Sequence, residues 1–326
     1  MNFSDRRGLK NAANASLGQA SWDPKKLILI HTGALLLLSL VLNIISSILS
    51  RQIDGTGGLS GLGLRSVLST IQALLPLLQA LLIPFWEMGL ILAMLNISRG
   101  KSATPDTLLG GFRRFGPVLR LSLLRGFLIM GILLASIYLS LMIYLVTPLS
   151  ASLQNALLPL MDANGTLDPE LAIEVLDPTL FLPFLCLMGA VALVMMMPVI
   201  YRYRMADYFL MDHPKAGAML SLQMSQQLLF RKRIELFKLD LSFWWYYLLE
   251  GLAAVVFYSD VLLQAFGIQL PIDSTVLSYA VFVLYALCTL AVHWFARDRV
   301  EVTYAKAYDA LLEAYPPMPG TNPTEE

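Results

Sequence analysis

The sequence predicts an all-α protein, a polytopic membrane helix bundle of six transmembrane helices with short amphipathic helices at the membrane surface. Of its 326 residues, 57% are apolar and 14% are charged, and the mean hydropathy is +0.65. Soluble domains are about 45–50% apolar and about a quarter charged. Six apolar runs are long enough to cross a bilayer core, which takes about 20 helical residues. Runs such as Ala34–Leu38 lack the alternation of a β-barrel strand.

The predicted spans are bounded by charged or turn residues. They cover about Leu27–Ser50, Ser66–Ser98, Val118–Thr147, Thr179–Tyr201, Leu239–Phe266 and Thr275–Ala296. The chain therefore divides into an N-terminal segment of residues 1–26, a membrane domain of residues 27–312 and a tail of residues 313–326. The prolines and terminal glutamates of the tail predict disorder. The first apolar run is too long for a signal peptide, so we expect it to stay in the protein.

The basic residues predict the orientation of the spans. Of the 23 Lys and Arg residues, 21 lie in the N-terminal segment, the second and fourth connections with the adjoining start of span three, and the C-terminal segment. Only Arg51 and Arg65 fall on the other side. Because Lys and Arg accumulate in cytoplasmic segments, both termini are expected in the cytoplasm, as an even number of spans also requires. The formal net charge of zero argues against a nucleic-acid partner.

Three segments have the pattern of helices that lie at the membrane surface. In the first, between Arg6 and Ala20, an apolar residue recurs every fourth position, at Leu9, Ala13 and Leu17. The second begins at Thr104, a helix N-cap residue followed by a proline. We expect the second segment to lie flat on the inner leaflet.

The third segment runs from Pro214 to Phe230 and ends in a basic cluster. Its apolar stripe consists of Ala216, Met219, Leu220, Met224 and Leu228, and its polar residues, expected to face away from that stripe, are Ser221, Ser225 and Gln226. The basic residues beside the second and third segments are candidate contacts for anionic lipids, and they are Arg113, Arg114, Arg231, Lys232 and Arg233. The simpler interpretation is that such clusters follow from the positive-inside rule alone.

Two glutamates fall inside predicted spans, where an ionisable residue indicates function by default. Glu87 lies about 16 Å from the inner end of span two, and Glu250 about 18 Å from that of span five, at about 1.5 Å per residue. Both are predicted near the midplane, where they could face each other and handle protons or cations. Alternatively, each carboxyl is protonated or hydrogen-bonded, with Tyr246 or Tyr247 as partners for Glu250, and only holds helices together.

The sequence contains no signature of an enzyme. It lacks a nucleophile elbow, a zinc-protease motif and a phosphate-binding loop. With three histidines and two cysteines, we expect no catalytic residues, no metal site and no cofactor. His31 and His293 lie near the inner ends of spans one and six, where they could meet or extend to the interface. With Arg202 or Arg204 they are the only plausible parts of an intramembrane enzyme that acts on lipid.

One stretch of the chain resembles a known family. It comprises Pro198–Tyr203, Tyr208–Pro214 and Glu235–Phe243, followed by Trp244, Trp245 and Tyr246. This order of a proline-ended span, a tyrosine-rich turn and a Phe-x-Leu-x-Leu-Ser-Phe start of a tryptophan-containing span is similar to the bacterial integral membrane family called domain of unknown function 975. The resemblance implies a multi-span protein of the bacterial plasma membrane and no established activity.

We therefore expect a non-catalytic membrane protein whose surface helices dock on the inner leaflet or on an unknown protein partner, in a scaffolding or envelope-associated role. The alternative is a transporter of a small solute or a lipid, coupled to protons through Glu87 and Glu250. The two hypotheses differ in one observable feature. A transporter needs both glutamates at a shared cavity, whereas a scaffold would place them in separate dry helix contacts.

Overall fold

A computed structural model describes residues 3–55, 62–151, 155, 182–213, 215–259 and 274–315. Within these ranges the chain is helical and has no strand, which confirms the predicted all-α class. Most of the connection between predicted spans three and four lies outside the described ranges, and so does the tail from residue 316 onward, which we predicted to be disordered. Residues 313 and 314, which we assigned to that tail, belong to the last helix.

The chain divides into two compact units. The first consists of Met1–Ser122, Arg202–Gln264 and Ile268–Glu326, and the second of Leu123–Tyr201 and Ala265–Gly267. The described helices are α1 (Arg6–Gly18), α2 (Pro24–Gly55), α3 (Leu62–Ser98), α4 (Gly110–Arg113), α5 (Phe115–Val146), α6 (Leu182–Tyr203), α7 (Ala206–Asp212), α8 (Ala218–Leu228), α9 (Arg233–Leu241), α10 (Trp244–Phe257), α11 (Ser274–Val292) and α12 (Asp298–Ala314). A short 3₁₀ helix, Pro105–Leu109, precedes α4, and a π-helical segment, His293–Arg297, joins α11 to α12.

Five stretches of described helix are long and apolar enough to cross a membrane. They are Pro24–Ile53, Gly63–Ser98, Phe115–Val146, Pro183–Asp212 and Val276–Ala314. The remaining predicted span, Leu239–Phe266, is not one continuous helix. Its first residues, Leu239–Leu241, end α9, and its apolar helix is α10, of 14 residues, or about 21 Å.

The break before α10 has a local cause at Ser242. The Ser242 hydroxyl donates a hydrogen bond to the carbonyl of Leu239 at 2.6 Å, and the Ser242 carbonyl accepts one from Lys10 Nζ at 2.9 Å. The Ser242 carbonyl thus accepts a hydrogen bond from a side chain of α1. The predicted start of span five at Leu239 is therefore wrong, and the apolar helix begins at Trp244.

Burial changes sharply along α3. Before Pro84 its large apolar side chains are exposed, and they include Leu64, Val67, Ile71, Leu74 and Leu77. After Pro84 nearly every apolar side chain is buried, from Phe85 to Ile97. Residues 62–84 span about 35 Å, close to the thickness of a bilayer core. Apolar surface exposed over that length is suited to lipid, so the lipid-facing part of α3 ends near Pro84 rather than at Ser98.

The buried end of α3 forms the centre of a packed layer in the first unit, which we call the buried layer. Its other members are α1, the start of α2, the segment from Ala103 to Arg113, α7 and α12. Leu9 and Ala13 of α1 are fully buried, and α1 packs against α12 and α3. The helix predicted between Arg6 and Ala20 therefore exists, but its apolar face is covered by protein and not by lipid.

The second predicted surface segment also packs against protein. Thr104 precedes its 3₁₀ helix as expected, but the chain then runs back along α3 instead of lying flat. A Cβ atom on Gly89 would lie 1.8 Å from the Leu108 carbonyl oxygen, and one on Gly111 would lie 2.0 Å from the Phe85 carbonyl oxygen. Two glycines thus permit backbone contact between this segment and α3, and that contact favours packing over a position on the leaflet.

The third predicted surface helix is α8, and its predicted faces are wrong in part. Of the predicted apolar stripe, Ala216 and Leu228 are buried, whereas Met219 and Leu220 are 61% and 40% exposed. Ser221 and Ser225, which were expected on the opposite face, are fully buried. The reason is a helix break between α6 and α7. The Ser225 hydroxyl donates to the Arg202 carbonyl at 3.0 Å and accepts from the Met205 N–H at 3.2 Å, so it satisfies backbone groups that the break leaves without helical partners.

The second unit is simpler. Its described part is α5 from Leu123 onward and α6 up to Tyr201. Within it, the ring centroids of Tyr144 and Phe184 lie 5.5 Å apart in an edge-to-face arrangement, and the Ser136 hydroxyl of α5 lies 3.4 Å from Met195 Sδ of α6. These contacts hold two apolar helices together with few polar groups, as expected in a membrane.

Candidate functional site

Glu87 lies on α3 three residues after Pro84, where the helix passes into the buried layer. Its two carboxylate oxygens accept hydrogen bonds of 3.1 and 2.9 Å from Arg297 Nη2. The Nε2 atom of His31, on α2, lies 3.8 Å from the same carboxylate. Glu87 is therefore the partner of a full positive charge on another helix.

Glu250 lies on α10 and has different partners. Its Oε1 atom lies 3.1 Å from His293 Nε2 and also accepts a hydrogen bond from the Tyr246 hydroxyl. Tyr246 is one of the two partners proposed from the sequence. His293 Nδ1 lies 2.7 Å from Thr32 Oγ1, so with Nε2–H donating to Glu250 a neutral imidazole accepts the threonine hydroxyl at Nδ1.

Arg297 connects these two groups. Its Nη1 atom lies 3.3 Å from His293 Nδ1, and its Nε atom lies 3.5 Å from Glu301 on α12. The result is one polar network from Glu87 through Arg297 and His293 to Glu250. From the sequence, Arg297 is only a basic residue just outside predicted span six, so its position between the two glutamates was not predicted.

The π-helical segment places the two central side chains of the network. His293 and Arg297 are its first and last residues, and both are buried. A π-helical turn is wider than an α-helical turn and is frequently found at functional sites. The four-residue spacing of His293 and Arg297 was visible in the sequence, but the wider turn was not.

Both glutamates line a single cavity of about 360 Å³ in the first unit. Its polar lining also includes Ser39, Gln79 and Arg297, and apolar residues of α2, α3, α10 and α11 complete the wall. Gln79 donates a hydrogen bond of 2.9 Å to Ser39, which links α2 and α3 at the cavity. The structure therefore brings together the two residues singled out by the sequence, in a cavity of the size typical of small-molecule sites.

The depth of Glu87 in a membrane depends on where the lipid-facing part of α3 ends. The estimate near the midplane took Ser98 as the inner end of span two, whereas the exposed apolar part of α3 ends near Pro84. Glu87 consequently lies close to the edge of the lipid-facing region. The two histidines do not extend to the membrane interface, which was one of the two alternatives. His31 and His293 are buried, at 0% and 8% exposed.

The candidate lipid contacts fall into two groups. Arg113 and Arg231 are exposed, whereas Lys232 pairs with Glu235 at 3.3 Å and Arg233 is partly buried. Arg114 donates hydrogen bonds to the carbonyls of Leu210 and Met211, and its partial burial lowers its pKa. Arg114 therefore holds α7 in place rather than facing a membrane.

A second charged cluster, missed by sequence analysis, ties the buried layer together. Arg99 contacts Asp212 at 2.5 Å and Asp309 at 2.6 Å. Tyr308 donates a hydrogen bond of 3.2 Å to Asp212. The hydrogen bond with Asp212, together with that to Asp309, raises the pKa of Arg99 above its ordinary value. The three charges come from three segments that are distant in sequence, so no local pattern could reveal them.

Among the residues that the structure describes, no group of three or more His, Cys, Asp or Glu side chains is placed to hold a metal ion. The apolar helices and the enclosed polar network define a polytopic α-helical membrane protein. A family model described as a protein of unknown function (DUF975) matches residues 4–298, so the chain belongs to this family. No curated protein and no solved structure matches the chain.

Proposed function

We propose that this membrane protein is a transporter of small polar solutes, coupled to protons through the cavity that Glu87 and Glu250 share. From the sequence we expected a scaffolding role first and a transporter second, and a cavity shared by both glutamates is the feature that separates the two hypotheses. The position of both carboxyls on one cavity is the observation that carries the proposal.

The length of the cavity supports a path for a solute. Gln79 lies eight residues before Glu87 on α3, and Ser39 lies seven residues after Thr32 on α2. These separations correspond to about 10–12 Å of helix. The polar lining therefore extends from the edge of the buried layer well into the lipid-facing region, where polar groups are costly unless they serve a function.

Proton coupling is supported by the alternative pairings that the network offers. Arg297 contacts Glu87, His293 and Glu301. Protonation of Glu87 would weaken its pairing with Arg297, and Arg297 would then pair more closely with Glu301. A shift of this kind is the type of two-state element that links protonation to a conformational change.

Solute-jump measurements test the proposal. The full chain is reconstituted in liposomes adsorbed on a solid-supported membrane, and small amines, amino acids, carboxylic acids and sugars are applied in turn. We expect one solute class to give a transient current, and Glu250→Gln to abolish it. Glu235→Gln, outside the cavity on α9, serves as the matched control and should keep the current.

The absence of a current with all four classes, from protein whose folding is verified by thermal unfolding, would contradict transport of small solutes. A current that survives both Glu87→Gln and Glu250→Gln would contradict the role of the carboxyls. In either case the polar network would be left with the structural role considered from the sequence.

A scaffolding or docking role is the second candidate, and one observation favours it. Around the basic cluster, Phe230 and Ile234 are 56% and 70% exposed, and Arg231 is exposed between them. Exposed apolar and basic side chains in one segment suit contact with anionic lipid. Native mass spectrometry with phosphatidylglycerol tests this, since Arg231→Ala should lower lipid retention and Lys101→Ala, on another connection, should not.

We further propose that the protein lies in the bacterial plasma membrane with both termini in the cytoplasm, and that it is not an enzyme. The asymmetric distribution of Lys and Arg supports this orientation. Contacts between the basic segments also support their placement on the same side of the membrane. Lys10 bonds to the Ser242 carbonyl, and Arg99 pairs with Asp212 and Asp309, so segments expected on one side of the membrane touch one another.

A further inference from the structure

The two glutamates at the cavity differ in how their charge is balanced. Glu87 receives two hydrogen bonds from Arg297, whose guanidinium carries a full positive charge. Glu250 receives its hydrogen bonds from His293 and Tyr246. An imidazole in its neutral form and a phenol carry no charge. Glu250 is thus hydrogen-bonded but is not neutralised by these partners.

The charges that line the cavity leave an excess of one negative charge. Glu87 and Arg297 cancel, His293 is neutral in this state, and Glu250 remains. Outside the lining, Glu301 approaches Arg297 at 3.5 Å and adds a further acidic group. Both hydrogen bonds that described residues make to Glu250 fall on Oε1, so its other oxygen can accept a donor from a ligand.

We propose that the cavity binds a small organic cation, an amine with a short apolar group, whose ammonium pairs with Glu250. A carboxylate in a partly enclosed, weakly polar cavity attracts a cation far more strongly than it would in water. Leu35, Leu36 and Ala253 line the cavity and supply an apolar wall for the rest of the solute. The transport of this cation rests on the proposed function, but its binding does not.

A proton on His293 competes with the cation. A protonated His293 would neutralise Glu250 at 3.1 Å, and the cavity would then carry no net charge. When the amine pairs with Glu250, the proton leaves His293 for water, so one positive charge replaces another. The other charged or titratable groups around this pair are His31 on α2, Glu87 on α3, Tyr246 on α10, Tyr285 on α11, Arg297 in the π-helical segment and Glu301 on α12.

Three matched probes test the proposal on the purified full chain in detergent. Benzylamine, benzyl alcohol and benzoate share a ring and differ in charge, and isothermal titration calorimetry measures the binding of each. We expect benzylamine alone to bind. Its affinity should fall once the pH is low enough to protonate His293, because the imidazolium then neutralises Glu250.

Two variants assign the residues. Glu250→Gln should weaken benzylamine binding by about tenfold or more, because it removes one partner of a charge pair in a partly enclosed site. His293→Gln keeps a donor toward Glu250 but cannot titrate, so it should bind benzylamine with an affinity that no longer depends on pH. Glu235→Gln, far from the cavity, should bind as the unmodified chain does.

The outcomes separate this inference from the transport proposal. Preferential binding of benzoate, or benzylamine binding that Glu250→Gln leaves unchanged, would overturn the cation site, even if a carboxylic acid gave transport currents. Benzylamine binding that depends on Glu250 without any solute current would support the cation site and contradict transport. A failure of all three probes to bind to folded protein would overturn the site as well.

Discussion

Arg297 lies between the two glutamates because a π-helical segment turns it inward. Its side chain is 9% exposed, and it contacts Glu87 on α3 and Glu301 on α12. Glu250 is instead held by two uncharged donors, His293 and Tyr246. Two carboxyls that look alike in the sequence therefore have different chemistry, and the difference arises from one residue that sequence reasoning treated as a boundary charge.

At the same scale, Arg99 should contribute more to stability than other basic residues at the same end of α3. Arg99→Ala leaves Asp212 and Asp309 without their shared cation. Their side chains are 17% and 21% exposed, so solvent replaces the lost contacts only in part. We expect a loss of about 1–3 kcal/mol in the free energy of unfolding, measured by thermal or chemical unfolding in detergent.

Lys101→Ala is the matched control for Arg99→Ala. Lys101 lies two residues further along the same connection and is exposed. Its replacement should change the free energy of unfolding by less than about 0.5 kcal/mol. Equal effects of the two substitutions would show that the Arg99 cluster does not hold the buried layer together.

At the scale of elements, close backbone contact joins α3 to the segment that precedes α5. Gly89→Ala would place a methyl group 1.8 Å from the Leu108 carbonyl oxygen. The segment must then move away from α3. This movement separates the ring of Phe85 from those of Phe112 and Phe115, whose centroids lie 5.3 and 4.8 Å from it. We expect destabilisation of about 1–3 kcal/mol or more, measured by unfolding in detergent.

Gly33→Ala on α2 serves as the comparison. A Cβ atom there would meet nothing within 4 Å, and alanine favours the helix over glycine by up to about 1 kcal/mol. This variant should therefore be neutral or stabilising. If Gly89→Ala is equally well tolerated, the 3₁₀ helix does not pack against α3 as described.

The sequence predicted the apolar spans well because long apolar runs need no partner to be recognised. Leu64–Leu81 of α3 and Val276–Leu287 of α11 are exposed apolar stretches of this kind. It predicted α1 and the cap at Thr104 from local patterns, but assigned their apolar faces to lipid. Periodicity shows that a face is apolar and does not show what covers it, which only the packing of distant segments decides.

The same distinction explains the candidate site. Two isolated glutamates in apolar runs, Glu87 and Glu250, were enough to predict a polar site. Their partners Arg297 and His293 come from another part of the chain, and the pairing depends on how the helices pack. The sequence also does not reveal that α3 is buried by protein after Pro84, because an apolar residue in a protein core resembles one in lipid.

At the scale of the whole molecule, the first unit joins an exposed apolar region to a buried layer. If that layer lies on the cytoplasmic side, as proposed, residues near it must be reachable from the inside only. A cysteine at position 105, in place of Pro105, should react with an impermeant maleimide only in inside-out vesicles. A cysteine at position 165, in the outer loop beyond the described ranges, should react in intact cells.

The labelling is done after Cys186 and Cys288 are replaced by alanine, so that only the introduced thiol reacts. Protein solubilised in detergent should be labelled at both positions, because both sides are then accessible, and this verifies that each thiol is reactive. The reverse pattern, with position 105 labelled from outside, would overturn the topology and the assignment of the termini.

The packing of α1 against α12 has a consequence for biosynthesis. Leu9 and Ala13 emerge from the ribosome first, yet they are covered by a helix that ends at Ala314. Until the last helix has been synthesised, this apolar face has no partner within the chain. Insertion of the spans must therefore precede completion of the layer, and a ribosome that stalls before α12 would release a chain with an exposed aggregation-prone helix at its N-terminus.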